Sequence, residues 1–172
     1  SWLLLNTINP KFVTSSLSLQ QVTVKAPEGT RTTVPCESCI TITKVPIKNG
    51  AGNQLNQDVA QRAEALYQGL ANDKIGWHIT EGHPPEVAHA SPCHSNGMCY
   101  DANFTDDTFK TAENINLVAE IARGTGQTAI WEVPTIGAAA ALLKTTPAVL
   151  EKNIRVVPGV TPHFHIELKR DK

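Results

Sequence analysis

Asn53 to Thr80 reads NQLNQDVAQRAEALYQGLANDKIGWHIT, and within it the hydrophobic period changes once. Leu55, Val59, Ala63, Leu66 and Leu70 recur at the spacing of one helix face, with Asn53 as the expected N-cap and Asn72-Asp73 as the end of the run. Ile75 to Thr80 then reads as a short strand. A helix that hands over to a strand through so short a link predicts helices packed against a sheet.

Downstream the same alternation continues. Gly82, Pro84, Pro85 and Pro92 mark a loop that enters the segment Cys93 to Phe104. A second helix is expected from about Thr111 to Arg123, with Ile115, Val118, Ala119 and Ala122 as its stripe and Gly124 beyond its end. Thr128 to Val133 has strand composition, Gly137 to Lys144 reads as a small-residue helix, and Thr146-Pro147 opens a further helical turn. Ile154 to Val157 and His163 to Leu168 are the last expected strands. Helices scattered among strands, with hairpin-length links near the end, predict an α+β fold around an antiparallel sheet flanked by helices rather than a doubly wound parallel one.

Upstream, residues 11–50 alternate β-branched and polar residues, punctuated by Pro27, Gly29, Pro35 and Pro46, and read as extended segments and turns. The expected organisation is an extended, β-rich N-terminal arm over 1–50 and a domain over 51–172. Trp2-Leu3-Leu4-Leu5 is far short of the ~20 apolar residues a bilayer span needs. It reads either as the last turn of a membrane helix preceding residue 1 or as the first strand of the domain.

The chain has 172 residues, with 15 Lys+Arg against 16 Asp+Glu, so a basic nucleic-acid surface is excluded as its organising feature. Charged residues are 18%, below the usual ~25%, and the polarity comes instead from Thr, Asn and Gln, as suits an exported protein. Four cysteines lie in two close pairs, Cys36 with Cys39 and Cys93 with Cys99. An even, paired count fits disulfides in an oxidising compartment, although three pairings are open and Cys36-Glu37-Ser38-Cys39 also has the spacing of a metal or redox motif.

Six histidines fall into two groups: His78, His83, His89 and His94, then His163 and His165. His94, Asp101 and one of the last pair are candidate metal ligands, since a catalytic zinc takes three such side chains and keeps one position open. Here the chain resembles a known family. Ser91 to Asp101, SPCHSNGMCYD, resembles a motif of His, two residues, Gly, one residue, a small residue, one residue and Asp, and His163-Phe164-His165 matches its second element. Together, over about residues 53–168, they are similar to the zinc D-alanyl-D-alanine carboxypeptidases and hedgehog-type peptidases, a group that includes peptidoglycan endopeptidases and phage endolysins.

The resemblance implies zinc held by His94, Asp101 and His165, with His163 beside the metal water or the oxyanion. It also implies a peptide or peptidoglycan substrate. Residues 163 and 165 share one face of a strand, which Glu167 continues. The small-residue position of the motif is Cys99, and a Cys93–Cys99 bridge would staple the loop that carries His94.

Two family features are missing. Positions 159–162 are Gly159, Val160, Thr161 and Pro162 where the family carries a catalytic Glu, which leaves Glu132 or Glu167 as substitutes. Thr80-Glu81-Gly82-His83 stands where the family has a substrate-binding Arg.

Plainer readings hold elsewhere. Trp77 and His78 read as packing or surface residues, Trp131 as core rather than a substrate platform, His83 and His89 as loop histidines, and Gly137 to Ala141 as close helix packing. Asn103-Phe104-Thr105 fits a glycosylation sequon.

The expected function is an extracellular zinc peptidase. The alternative is a surface or filament subunit that keeps a metal-stabilised fold without turnover, its arm available for self-association by strand addition. Trp2 to Pro10 also resembles the juxtamembrane end of the hydrophobic helix in bacterial pilin-like proteins.

Overall fold

A computed structural model describes residues 35–89, 91–143 and 151–169. The apolar start, the rest of the arm before residue 35 and the Thr146-Pro147 turn lie outside them. The order is β1 (Cys39–Thr41), β2 (Gln54–Asn56), α1 (Gln57–Asn72), β3 (Trp77–Glu81), β4 (Cys99–Phe104), α2 (Ala112–Gly124), β5 (Gln127–Val133), α3 (Ile136–Leu143), β6 (Ile154–Val156) and β7 (His163–Leu168). The fold is α+β.

α1 forms where its apolar stripe demands, burying Val59, Ala63, Leu66 and Leu70, but its cap is Asn56 rather than Asn53. The Asn56 side chain accepts from the N–H of Asp58 at 3.0 Å and of Val59 at 3.4 Å. Asn53 is engaged otherwise: its carbonyl accepts from Ile42 N, and Gln54 to Asn56 form β2 before the helix begins. The helix ends in a Schellman turn, with Lys74 left-handed at φ 58° and Ile75 N donating back to Leu70 O at 3.0 Å. Ile75 and Leu70 are both buried there, which offsets the ~1–2 kcal/mol that a left-handed Lys costs.

α2 is capped by Thr111 Oγ1, which accepts from Asn114 N at 3.1 Å. It runs through Gly124, and the left-handed glycine that closes it is Gly126.

The main sheet has the order β3-β4-β7-β5-β6, antiparallel except for the β5–β6 pair. The sheet is thus antiparallel with one parallel edge. α3 lies between β5 and β6 in sequence and carries the chain back to run β6 parallel to β5, after which β7 inserts between β4 and β5.

Alternation along the strands gives the sheet two faces. One packs against the helices through Trp77, Phe104, Trp131 and Phe164, whose rings lie 4.7–6.0 Å apart. Trp77 and Trp131 are thus core residues. Buried polar groups on this side are paired: Tyr100 Oη donates to Gln127 Oε1 at 2.7 Å, and Gln127 Nε2 donates to Arg62 O and Thr125 Oγ1. The other face carries Asp101, Glu132, His163 and His165 in adjacent register.

Residues 35–50 are joined to the rest. β1 pairs with β2, Ile42 and Val45 are in the core, and Ile47 bridges Ile79. The disulfides are Cys36–Cys39 and Cys93–Cys99. They set the chain in an oxidising, extracellular environment. Among the described residues no helix is long and apolar enough to cross a membrane.

Gly97, within the loop closed by Cys93–Cys99, packs against the Cys36–Cys39 bridge. It has φ 74°, and a Cβ there would lie 2.5 Å from Cys39 Sγ and 3.1 Å from Asn56 N. Gly97→Ala is expected to lose about 2–5 kcal/mol, from the left-handed backbone and from overpacking against a rigid disulfide. Denaturant unfolding measures this, and a loss below ~1 kcal/mol would show that the turn is not constrained as described.

Candidate metal centre

His94 ends a short 3-10 turn, Pro92–His94, inside the loop closed by Cys93–Cys99. The loop folds back tightly: Ser95 N donates to Pro92 O, and Met98 N donates to Cys93 O at 2.9 Å. Asp101 follows on β4, directly opposite His165 on β7. Loop and sheet thus bring the distant His165 to the neighbouring pair His94 and Asp101.

Their donor atoms form a nearly equilateral triangle. His94 Nε2 lies 3.4 Å from Asp101 Oδ1, His165 Nδ1 lies 3.2 Å from the same oxygen, and the two nitrogens are 3.2 Å apart. Ligands about 2.0–2.1 Å from a tetrahedral ion are about 3.3–3.4 Å from one another, so the triangle has the size of one face of such a site.

All three residues are buried, and their electrostatics suit cation binding. Burial raises the Asp101 carboxyl, but His94, His165 and His163 around it carry it well below the usual range. Burial holds His94 down despite Asp101 beside it, which favours the neutral, ligating ring. His165 rises to about 9, since Asp101 and Glu167 outweigh its burial.

Cys93 and Cys99 also approach His94 and His165, but their sulfurs are bonded to each other and offer no thiolate. The side chains that could hold a metal are therefore His and Asp. Neither a protein-family model nor a curated protein matches this chain.

Around the triangle lies a cleft of about 710 Å³. His163 stands at its inner wall with both ring nitrogens engaged. Nδ1 donates to Thr161 O at 2.6 Å, while Nε2 faces Glu132 Oε2 at 3.3 Å and Asp101 Oδ2 at 3.5 Å. Burial opposes its charge, but Glu132 and Asp101 prevail and raise it to about 9. Glu132 is held down to about 2 against its burial by His163 and Arg155, with Arg155 Nε donating to Oε1 at 2.9 Å.

Glu167 does not stand beside His163. It faces His165 Nε2 at 3.6 Å, on the side of the ring away from Asp101. Asn103 Nδ2 donates to Pro162 O, so the asparagine of the sequon ties β4 to the loop before β7.

Three residues at the site escaped the sequence reading. Arg155 enters from β6, opposite Glu132. His89 leaves its loop to stack on His94, and Glu81 joins it because the register of β3 shifts between Ile79 and Glu81. Simple alternation would put Glu81 on the helix side with Ile79; the bulge turns it to the cleft opposite Asp101. No pattern in the sequence signals that bulge.

Proposed function

We propose that this protein is an exported zinc-dependent peptidase acting on cell-wall stem peptides, as a carboxypeptidase or an endopeptidase. The observation that carries the reading is the donor triangle of His94 Nε2, Asp101 Oδ1 and His165 Nδ1, with edges of 3.2–3.4 Å. Two imidazoles and a carboxylate with an open fourth position are a donor set suited to catalytic zinc. The peptide substrate comes from the resemblance of Ser91–Asp101 and His163–His165 to the carboxypeptidase motifs.

Bound there, zinc supplies Lewis acidity and a water acidic enough to attack at neutral pH. The chain supplies the rest. His163 borders the site with Nε2 against Glu132 and Asp101, and its positive charge favours the negative charge that develops on the substrate carbonyl oxygen. Glu132 faces His163 Nε2 and holds that ring charged, with Arg155 fixing its carboxylate. Glu167 fixes the His165 ring from behind.

One observation favours the second reading, a surface subunit whose metal only stabilises the fold. The cleft carboxylates Glu81 and Glu132 both already have cationic or backbone partners. Turnover of purified stem-peptide fragments by zinc-loaded protein, lost on chelation, supports the peptidase. Absence of turnover at high protein concentration, with zinc bound, supports the subunit. In the subunit reading the arm mediates self-association.

Zinc uptake carries a pH signature. With His165 at about 9 in the metal-free protein, its ring is protonated at neutral pH, whereas zinc requires the Nδ1 lone pair. Uptake at pH 7 is expected to release at least about one proton, and affinity to rise about tenfold per pH unit until the ring deprotonates near 9. Calorimetry in buffers of different ionisation enthalpy counts the protons; a count of zero removes His165 from the ligand set.

A further inference from the structure

His94 and His165 are held in different ways. Behind His165 stands Glu167, whereas His94 Nδ1 is buried and has no hydrogen-bond partner among the described residues. A ligating imidazole ordinarily has its second nitrogen fixed by a carboxylate or a carbonyl. What His94 has instead is another ring. His89 lies on it with centroids 3.7 Å apart and 19° between the planes.

That ring is itself clamped. His89 Nε2 meets Glu81 Oε2 at 2.7 Å, and Glu81 Oε1 accepts from Glu86 N at 2.6 Å and Val87 N at 3.3 Å. The bulge in β3 brings Glu81 to this position, so the sheet, the clamp and the stacked ring form one support reaching the ligand.

We infer that His89, held by Glu81, is a positioning residue of the metal centre, whose stacked ring orients His94 as Glu167 orients His165. The inference rests on the zinc reading above. A competing use of the same residue is ligation, because one donor atom of His89 lies within 4.8 Å of those of His94 and Asp101. The two uses differ in what they require: orientation by stacking needs a flat ring, ligation needs a nitrogen.

The test uses the full chain and zinc alone, with a chromophoric chelator as competitor. Loss of a supporting group ordinarily weakens metal binding about 10–100-fold, so His89→Ala is expected to fall in that range while His89→Phe stays within about threefold of the unchanged protein. Glu81→Gln, which leaves the ring but weakens its clamp, falls between them. Melting in a chelator shows that each variant is folded at the assay temperature without metal, and affinities are compared among folded variants.

The inference is overturned if His89→Ala binds zinc as tightly as the unchanged protein, or if His89→Phe falls as far as His89→Ala, which would make His89 a ligand. If the unchanged protein binds no zinc, the metal reading itself fails and takes the inference with it.

Discussion

Removing one ligand ring, by His165→Ala or His94→Ala, is expected to weaken zinc binding about a hundredfold or more and to abolish turnover with it. The three donors converge within 3.2–3.4 Å, so no pair of them defines the site without the third. Asp101→Asn is expected to lose affinity as well, although its shape is kept, because the negative charge offsets the ion and the surrounding histidines. Chelator competition measures all three variants. Zinc bound with undiminished affinity in His165→Ala would place the metal elsewhere and remove the basis of the proposed chemistry.

His163→Ala is expected to behave differently: zinc binding stays, while turnover of stem peptides falls about 10²–10⁴-fold, the range for loss of a positioned proton-bearing group. The separation follows from the geometry. His163 approaches the far oxygen of Asp101, at 3.5 Å, and not the oxygen shared by the two ligand rings. Glu132→Gln should reproduce part of the loss, since it removes the carboxylate that keeps His163 charged. Unchanged turnover in His163→Ala removes its catalytic role, and lost zinc makes it a ligand.

How much of this was legible in the sequence varies with the range of the interaction involved. Val59, Ala63, Leu66 and Leu70 announced α1 because a helix buries its own stripe, and period is a local property, whereas Leu55, counted with them, lies in β2. The cap moved from Asn53 to Asn56 because pairing with Cys39–Thr41, a non-local contact, claimed Gln54–Asn56 for a strand first. Gly124 yielded to Gly126 as the terminating glycine within the usual uncertainty of helix ends. The parallel β5–β6 edge was not legible at all, since strand direction depends on where α3 returns the chain.

His94, Asp101 and His165 were named from spacing and resemblance, and they are the residues whose donor atoms meet. Glu81, His89 and Arg155 were not named as site residues, although they complete the cleft. Each reaches it through something the sequence does not spell out: a bulge in β3, a ring stacked from a loop, and a strand paired at the far edge of the sheet.

By itself, then, the sequence determined the helix-and-strand alternation and the close pairing of the cysteines, both carried by neighbours within a few turns of chain. Only the tertiary structure decided which ring nitrogen faces which oxygen, that Glu132 supports His163 while Glu167 stands behind His165, and that Glu81 turns toward the cleft. Those outcomes depend on strand order and register, which are set by packing both sheet faces at once, and a single-residue shift in register moves a side chain from one face to the other.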